Sequence, residues 1–229
     1  MKTLIVTRRS NRYLYDKMLR SLTIDGDRQP IVGFNKASGA RDYLFHCFRS
    51  HCDEYDLIIN IDEDCLVIDN DALKDLITYF MDCKYDFCGM PDGGRCIHRC
   101  HNPLVMNPFF NLFSKNFAET MVMNQREARD QLMPFSDRKS FNSPSIYPGM
   151  SVKYDNFEPY YGIFITGHML GMFPMYLDSR EWVDNISTIL RNQNHQEFLA
   201  HSWFAREYDR PDSIHKVRID AFHKEFERN

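Results

Sequence analysis

Residues 55–64 read Tyr55-Asp56-Leu57-Ile58-Ile59-Asn60-Ile61-Asp62-Glu63-Asp64. The apolar, β-branched run between polar flanks predicts an interior strand of a parallel sheet. In an extended backbone, residues i and i+2 point to the same side, so we expect Asp62 and Asp64 to aim at one point outside the strand's carboxyl end. Mg²⁺ and Mn²⁺ bind carboxylate oxygens and leave positions for substrate phosphates. The motif therefore predicts a metal and diphosphate site.

Two other interpretations of the acidic residues stay open. Acidic residues after a strand are often solvated turn residues or the cap of the next helix, and Asp69-Asn70-Asp71 looks like such a cap. The apolar residues Leu66-Val67-Ile68 follow the motif directly, and this position after a buried run favours the metal site.

Short apolar runs alternate with helical patterns in the first part of the chain. Strands are predicted at residues 3–7, 31–34, 57–61 and 87–90. Helices are predicted at residues 11–22, 37–52 and 71–81. This alternation predicts an α/β fold with a Rossmann-like, mostly parallel sheet that is flanked by helices and joined by right-handed crossovers. Ligands of such sheets bind at the carboxyl ends of the strands, where the acidic residues lie.

The second half of the chain has less regular patterns. Residues 104–113 are predicted to be extended, whereas residues 133–148, rich in Ser, Pro and Asn, show no clear period. Residues 212–229 predict a charged helix whose charges form a solvated face. The apolar residues of this helix that we expect to pack are Ile214, Val217, Ala221 and Phe222.

Length and composition restrict the class of protein. With 229 residues and 43% hydrophobic content, we expect one domain over residues 1–229. The net charge of −4 argues against a broad nucleic-acid-binding surface. The apolar run at the start is too short for a signal peptide, and no stretch approaches the ~20 apolar residues of a membrane span. We expect a cytoplasmic protein without a transmembrane segment, and peripheral membrane contact stays open.

The cysteines indicate reduced thiols. There are seven, an odd number, and several fall within predicted helices and strands. The segment Cys96-Ile97-His98-Arg99-Cys100-His101 contains four possible zinc ligands. Its spacing is not that of a standard zinc finger, so a plain substrate-side loop stands beside zinc binding as its interpretation.

The acid motif and a second segment resemble the nucleotide-sugar-dependent glycosyltransferases of the GT-A fold, over roughly residues 3–208. Asp62-Glu63-Asp64 matches their D-x-D metal motif. Residues 35–41 are similar to the Gly and Ala-Arg segment that lies along the donor nucleotide, although an ordinary helix start also explains them. The resemblance implies a donor-binding half at about 1–103, an acceptor half at about 104–211 and a C-terminal helix at 212–229.

The resemblance also implies roles for single residues. Asp62 and Asp64 would hold Mn²⁺ or Mg²⁺, with Asp62 and Glu63 close to the donor. His201, in His201-Ser202-Trp203, resembles the late histidine that completes the metal coordination, and neutral imidazole is a competent ligand for Mn²⁺. A packed, hydrogen-bonded histidine is the other interpretation. By fold analogy, the residues along the nucleotide are Thr7, Arg8, Asn35 and Arg41.

The general base is the point at which the chain departs from this family. Residues 157–177 are similar in outline to the acceptor region of inverting members, which carry a Glu-Asp pair after a glycine, but here Ile163-Phe164 follow Gly162. An inverting transfer needs a carboxylate that removes the proton of the acceptor hydroxyl. The nearest carboxylates are Asp155, Glu158 and Asp178. We favour Glu158, while Asp92 and the stereochemical outcome stay open.

The predicted function is that of a metal-dependent glycosyltransferase, a hexosyl- or pentosyltransferase. It would move a sugar from a nucleoside diphosphate sugar to a hydroxyl acceptor on a glycan, a lipid or a protein glycan. A nucleotidyltransferase acting on sugar phosphates is the nearest enzyme alternative, but such enzymes usually carry a Gly-rich phosphate loop, and residues 7–11 contain no glycine. A non-catalytic carbohydrate- or zinc-binding module is the alternative from a different class.

Overall fold

The computed structural model describes residues 1–34, 39–92, 102–130 and 158–227. The first elements are β1 (Thr3–Arg8), α1 (Arg12–Ser21), β2 (Asp27–Ile31), α2 (Gly39–His51), β3 (Leu57–Ile61), β4 (Cys65–Val67), α3 (Asn70–Asp82) and β5 (Phe87–Pro91). They are followed by β6 (Met106–Ser114), α4 (Lys115–Met123), α5 (Gln125–Asp130), α6 (Tyr161–Met169), β7 (Pro174–Tyr176), β8 (Asp178–Glu181), β9 (Thr188–Arg191), β10 (Glu197–His201), a 3-10 turn (Ala205–Glu207) and α7 (Ile214–Phe226). No helix in the described ranges has both the length and the apolar character needed to cross a bilayer.

The larger sheet has six strands in the order β2-β1-β3-β6-β5-β7. Three of its five neighbouring pairs are parallel, namely β1 with β2, β1 with β3 and β5 with β7. β6 runs antiparallel to both β3 and β5, and it contains most of the stretch predicted to be extended at residues 104–113. The predicted α/β fold with a mostly parallel, helix-flanked sheet is therefore confirmed. The division of the chain near residues 103 and 211 stays a prediction.

β3 lies inside this sheet and is buried along its whole length. Its side chains alternate between the two faces, so that Ile58 joins one hydrophobic cluster and Ile59 the other. The first cluster includes Phe48 of α2, Phe117 of α4 and Phe164 of α6, and the second includes Met18 of α1 and Leu76 and Phe80 of α3. Each such buried side chain stabilises the fold by about 1.5–3 kcal/mol, so both faces anchor the strand that ends in the acidic residues.

The second strand differs from the prediction. It spans Asp27–Ile31 rather than residues 31–34, because the chain turns away after Ile31 with Gly33 at a φ of +97°. β2 is an edge strand that pairs only with β1, so its polar residues face solvent. The position of this strand therefore cannot be recognised from an apolar run in the sequence.

The smaller sheet has four antiparallel strands in the order β4-β10-β9-β8. β4 has only three residues and begins directly after the acidic motif. It pairs with β10 in a register that sets Cys65 opposite His201. This sheet, which no sequence pattern predicts, joins the acidic motif to the C-terminal part of the chain.

Helix α3 begins where the sequence predicts a cap. The Asp69 side chain accepts hydrogen bonds from the N–H groups of Asp71 and Ala72, at 3.0 and 2.9 Å. The predicted cap is thus confirmed, and it is separate from the acidic motif. The alternative in which Asp62 or Asp64 caps this helix is excluded.

Helix α7 exists, but its buried face matches the prediction only at Phe222. Ile214 and Val217 are 78% and 73% exposed, and Ala221 is exposed as well. The residues that pack are Ile219 against α1, and Phe222 against β9 and β10. The face of the helix that contacts the smaller sheet therefore contains polar residues, Arg218 and His223, as well as apolar ones.

Candidate functional site

The acidic motif lies in the wall of a cavity of about 440 Å³ at the carboxyl ends of β1 and β3. This is the edge at which parallel sheets bind ligands. Six of the residues predicted for the site line the cavity: Arg8, Asp62, Glu63, Asp64, Glu158 and His201. The fold thus brings together residues from the start, the middle and the end of the chain.

Asp64 and His201 form a buried pair in this wall. Asp64 Oδ1 lies 3.2 Å from His201 Nε2, and the two side chains are 5% and 4% exposed. The next residue, Ser202, donates hydrogen bonds from its N–H and its hydroxyl to the Asp64 carbonyl oxygen, at 3.1 and 3.2 Å. The pairing of β4 with β10 therefore fixes the pair through the backbone as well as through the side chains.

Aromatic packing orients the imidazole of His201. Its ring stacks on Phe109 at a centroid distance of 4.1 Å and an interplanar angle of 14°, and it lies 4.4 Å from the ring of Trp203. Its Nδ1 is buried and has no hydrogen-bond partner among the described residues. The ring is thus held with Nε2 facing Asp64, which suits both a metal ligand and the packed, hydrogen-bonded histidine of the other interpretation.

Asp62 faces a different partner. Its carboxylate lies 3.4 Å from the Arg8 guanidinium, and its N–H donates to the Phe109 carbonyl at 2.8 Å. The backbone after β3 is a turn, closed by a hydrogen bond from the Cys65 N–H to the Asp62 carbonyl at 3.2 Å. The rule for extended backbone therefore does not apply, and Asp62 and Asp64 share the cavity without converging on one partner.

Burial and neighbouring charges shift the pKa values of the two acids in opposite directions. Burial raises the pKa of Asp62, and the attraction of Arg8 offsets this only in part. Burial also acts on Asp64, but the attraction and hydrogen bond of His201 outweigh it and hold the pKa below its usual value. Asp62 in turn raises the pKa of Arg8. Asp64 is therefore the acid whose charge the fold stabilises.

The Asp64–His201 pair fits a divalent cation. Two ligand atoms at right angles, each about 2.1 Å from an octahedral ion, lie about 3 Å apart, close to the observed 3.2 Å. The ligand atoms of Asp64, Cys65 and His201 all lie within 4.8 Å of one another. Burial raises the pKa of Cys65, and its thiol faces the Phe109 carbonyl at 3.7 Å, so it remains protonated. A carboxylate with an imidazole suits Mn²⁺ better than Mg²⁺, which prefers oxygen ligands.

Glu63 has a role that the motif does not indicate. Its carboxylate accepts hydrogen bonds from the N–H groups of Ser10 and Asn11, at 2.7 and 2.6 Å, and from the Ser10 hydroxyl. Burial raises the pKa of Glu63 to about 7, and these hydrogen bonds act against that shift. Glu63 therefore ties the loop after β1 to the turn after β3, and its predicted contact with the donor stays a prediction.

The predicted nucleotide-binding residues are distributed unevenly. Arg8 lines the cavity, whereas Thr7 is buried within β1 and does not. Arg41 lies on α2, 3.5 Å from the Asp42 carboxylate. It does not line the cavity, although its neighbour Ala40 does. Asn35 lies outside the described residues, as do Asp155 and the Cys96–His101 segment.

Of the candidate bases, Glu158 lies in the cavity. Asp178 lies on β8, 3.7 Å from Arg191, and lines a different cavity of about 280 Å³. Asp92 is buried and accepts hydrogen bonds from Asn107 at 2.7 Å and from the hydroxyls of Tyr160 and Tyr161. The positions favour Glu158, and Asp92 instead supports the wall that Asn107 and Tyr160 form.

The sequence reasoning missed the cationic rim of this cavity. Arg206 and Arg210 line it, and Arg210 forms an ion pair with Glu207 at 2.5 Å. Both follow a turn in which Trp203 and Phe204 have left-handed backbone, with φ values of 60° and 65°. The sequence indicates this rim only by two arginines, four positions apart, shortly after His201-Ser202-Trp203.

No protein-family model matches this sequence, and no curated protein matches it. Several solved structures are similar at low identity. A197 from STIV has 14% sequence identity and a TM-score of 0.46, over 87% of this chain and 94% of that chain. The mannosyltransferase PcManGT from Pyrobaculum calidifontis, solved with GDP-Man and Mn²⁺, has 12% identity and a TM-score of 0.42, over 77% of this chain and 54% of that chain.

A cytidylyltransferase from Leptospira borgpetersenii serovar Hardjo-bovis is also similar in structure. It has 14% identity and a TM-score of 0.32, over 69% of this chain and 76% of that chain. This chain therefore spans about half the length of the mannosyltransferase and about three quarters of the cytidylyltransferase. Similarity at this level concerns the fold and leaves the activity to the residues of the site.

Proposed function

We propose that this chain is a metal-dependent glycosyltransferase that moves a sugar from a nucleoside diphosphate sugar to a hydroxyl acceptor. The observation that carries the proposal is the buried pair of Asp64 and His201, 3.2 Å apart in the wall of the 440 Å³ cavity. A carboxylate whose charge is stabilised and an oriented imidazole are a pair of ligands for Mn²⁺.

Residues of the chain would supply the rest of the donor site. Asp64 and His201 would hold Mn²⁺, and Asp62, oriented by Arg8, would lie beside it. A bound cation neutralises the negative charge that builds on the departing diphosphate. Arg206, exposed on the rim of the cavity, would bind a phosphate oxygen of the same group.

Glu158 would act as the general base. It lines the cavity beside Tyr160 and Asn107, on a different segment of the chain from the metal ligands. In that position its carboxylate would accept the proton of the acceptor hydroxyl as the bond to the sugar forms. A single general base of this kind would serve a one-step transfer with inversion, in which the acceptor hydroxyl attacks the face of the sugar opposite the leaving diphosphate.

One contact argues against the nucleotidyltransferase alternative. A phosphate loop after β1 would use the backbone N–H groups of the β1–α1 connection. The Glu63 carboxylate accepts hydrogen bonds from two of these groups, those of Ser10 and Asn11. A triphosphate would therefore compete with a carboxylate that is already in place, which favours the glycosyltransferase.

Ligand-dependent thermal shifts test the proposal. The protein is melted with nucleoside diphosphates and their sugars, with and without Mn²⁺, beside an Asp64→Asn variant. Because a ligand that binds only the folded state raises Tm, we expect one nucleoside diphosphate to stabilise the wild type in the presence of Mn²⁺ and not in its absence. The Asp64→Asn variant is expected to lose this dependence.

Other outcomes separate the alternatives. Release of pyrophosphate from a nucleoside triphosphate and a sugar phosphate would establish the nucleotidyltransferase. Tight, stoichiometric zinc in the purified protein, with no response to any nucleotide, would establish the binding module. Either result, or the absence of any Mn²⁺-dependent shift, overturns the proposal.

A further inference from the structure

The chain makes an unusual turn directly after His201. Trp203 and Phe204 both have left-handed backbone, with φ values of 60° and 65°, and neither is a glycine. Such a conformation is strained for residues other than glycine and persists only where the surroundings hold it. The turn leads from the predicted metal ligand His201 to Arg206 on the rim of the cavity.

Arg218 of α7 holds the backbone of this turn. Its Nη2 donates to the Trp203 carbonyl at 2.9 Å. Its Nη1 donates to Asp184 Oδ2 at 2.9 Å and to the Ser187 hydroxyl at 2.7 Å. The side chains of Arg218 and Asp184 are only 13% and 12% exposed, so the guanidinium is fixed on one side and binds the turn with the other.

The two aromatic side chains of the turn are also held. Trp203 Nε1 donates to the Thr188 hydroxyl at 2.9 Å, and the indole lies 4.4 Å from the His201 ring. Phe204 stacks on His215 of α7 at 4.2 Å, with an interplanar angle of 16°. A displacement of the turn would therefore displace the indole that packs against the imidazole.

We propose that Arg218 is a positioning residue for the metal site. Through the Trp203 carbonyl it holds the left-handed turn, and the turn sets both the orientation of the His201 imidazole and the direction of Arg206. His215 supports the same turn through Phe204. This inference rests on the proposed function for its metal, but the positioning itself concerns only residues of the chain.

The test replaces Arg218 while keeping its charge. Arg218→Lys retains an ammonium near Asp184 but cannot bind the Trp203 carbonyl, Asp184 and Ser187 together, because the planar fork is lost. Arg180→Lys is the matched control. Arg180 makes a two-point ion pair with Glu197, at 2.5 and 2.7 Å, in the same small sheet, and the rest of its guanidinium donates to the Glu181 carbonyl rather than to the turn.

Mn²⁺ affinity, measured by calorimetric titration, is the first readout. Loss of a residue that orients a metal ligand typically weakens metal binding by 10–100-fold, so we expect an increase in Kd of about that size in Arg218→Lys. The control, whose ion pair is about one third exposed, should lose less thermal stability and show no change in Kd. An unchanged Kd in a folded Arg218→Lys protein overturns the proposal.

The NMR signal of the Trp203 indole N–H is the second readout, and it needs no metal. A Trp182→Phe variant identifies which indole signal belongs to Trp203. We expect the signal to move in Arg218→Lys and to stay in Arg180→Lys, and a signal unchanged in both overturns the positioning role. If wild type binds no Mn²⁺ while the indole signal moves, the proposed metal function fails and the positioning of His201 stands.

A milder variant covers the case in which Arg218→Lys does not fold. His215→Leu removes the stacking partner of Phe204 and the ring nitrogen that accepts from Arg218 Nε at 3.4 Å, while the contacts of Arg218 with Asp184, Ser187 and the Trp203 carbonyl do not involve His215. It should move the Trp203 indole signal and weaken Mn²⁺ binding in the same direction by a smaller factor. No change in either measurement would overturn the role of α7 in holding the turn.

Discussion

Asp62 and Asp64 belong to one turn, two residues apart, yet they lie in different electrostatic environments. Asp62 directly follows β3 of the larger sheet and faces Arg8 at 3.4 Å, whereas Asp64 directly precedes β4 of the smaller sheet and faces His201 at 3.2 Å. The pKa of the first is raised by burial, and that of the second is lowered by its partner. The two acids of this motif therefore do not act as one electrostatic unit. We therefore propose that Asp64 contributes more than Asp62 to metal binding.

The largest expected effect is the loss of Mn²⁺-dependent transfer when Asp64, rather than Asp62, is replaced by Asn. Asp64→Asn removes a charged ligand and should reduce Mn²⁺-dependent transfer by about 10³-fold or more, since a bound cation stabilises the transition state by several kcal/mol. Asp62→Asn, the matched control, should weaken Mn²⁺ binding by only about 10-fold, as expected for one charged hydrogen-bonding group. Mn²⁺ titrations of sugar transfer measure both. Equal losses in the two variants would remove the distinction.

A second, smaller effect concerns the acceptor side of the cavity. Glu158→Gln keeps the size of the side chain but cannot accept a proton, so transfer should fall by about 10²-fold while donor binding is retained. Asp178→Asn changes a carboxylate of the other cavity and should leave the rate unchanged. Rates and donor affinities of both variants check this. Wild-type transfer by Glu158→Gln, or a product that retains the anomeric configuration, would exclude Glu158 as the base of an inverting reaction.

The smallest effect is on stability in the absence of metal, and its sign differs between the acids. The folded-state pKa of Asp62 is raised, so its stabilising contribution is complete below the unfolded pKa and is lost as pH rises through the folded pKa. At pH 7 the ionised acid therefore costs stability. Asp62→Asn, whose amide mimics the protonated acid, should raise the free energy of unfolding by about 1 kcal/mol.

Asp64 should behave in the opposite way. Its folded-state pKa is lowered, so its contribution is present above the unfolded pKa and is lost as pH falls through the folded pKa. Asp64→Asn should lower the free energy of unfolding at pH 7 by about 1 kcal/mol or more. Urea unfolding at pH 7 and at pH 4 compares the variants. The Asp62→Asn difference from wild type should shrink at pH 4, whereas the Asp64→Asn difference should be largely retained there, because the folded-state pKa of Asp64 lies below its ordinary value of 3.8. Shifts of the same sign at pH 7 would contradict the assigned environments.

The parts of the molecule that sequence patterns predict are those with long, buried elements. β3, the flanking helices and the Asp69 cap follow from apolar periodicity and cap chemistry, because burial on both faces leaves a clear pattern. The apolar pattern places the second strand at residues 31–34 instead of Asp27–Ile31, because β2 is an edge strand with mostly polar residues. β4 and β7 have three residues each, too few for any period to show.

The sequence indicates which residues could be metal ligands but not how they are arranged in space. The acids and His201 are visible as residues suited to a metal, but their geometry depends on a turn and on a β4–β10 register that local patterns do not encode. Arg218 illustrates the same limit, since a charged residue on a charged helix predicts a solvated face. Its burial and its contact with the Trp203 carbonyl become apparent only when α7 is packed on the smaller sheet.

The pairing of β4 with β10 has a consequence for synthesis of the chain. Ser202 and Asp64, which it joins, lie 138 positions apart. Contacts of such separation form late because the loop between them must first be closed. On the ribosome, the larger part of the parallel sheet is complete while the acidic turn still lacks its imidazole. Cation binding at the proposed site is therefore expected to begin only after β10 has emerged and paired with β4, and to reach its full strength once α7 has followed.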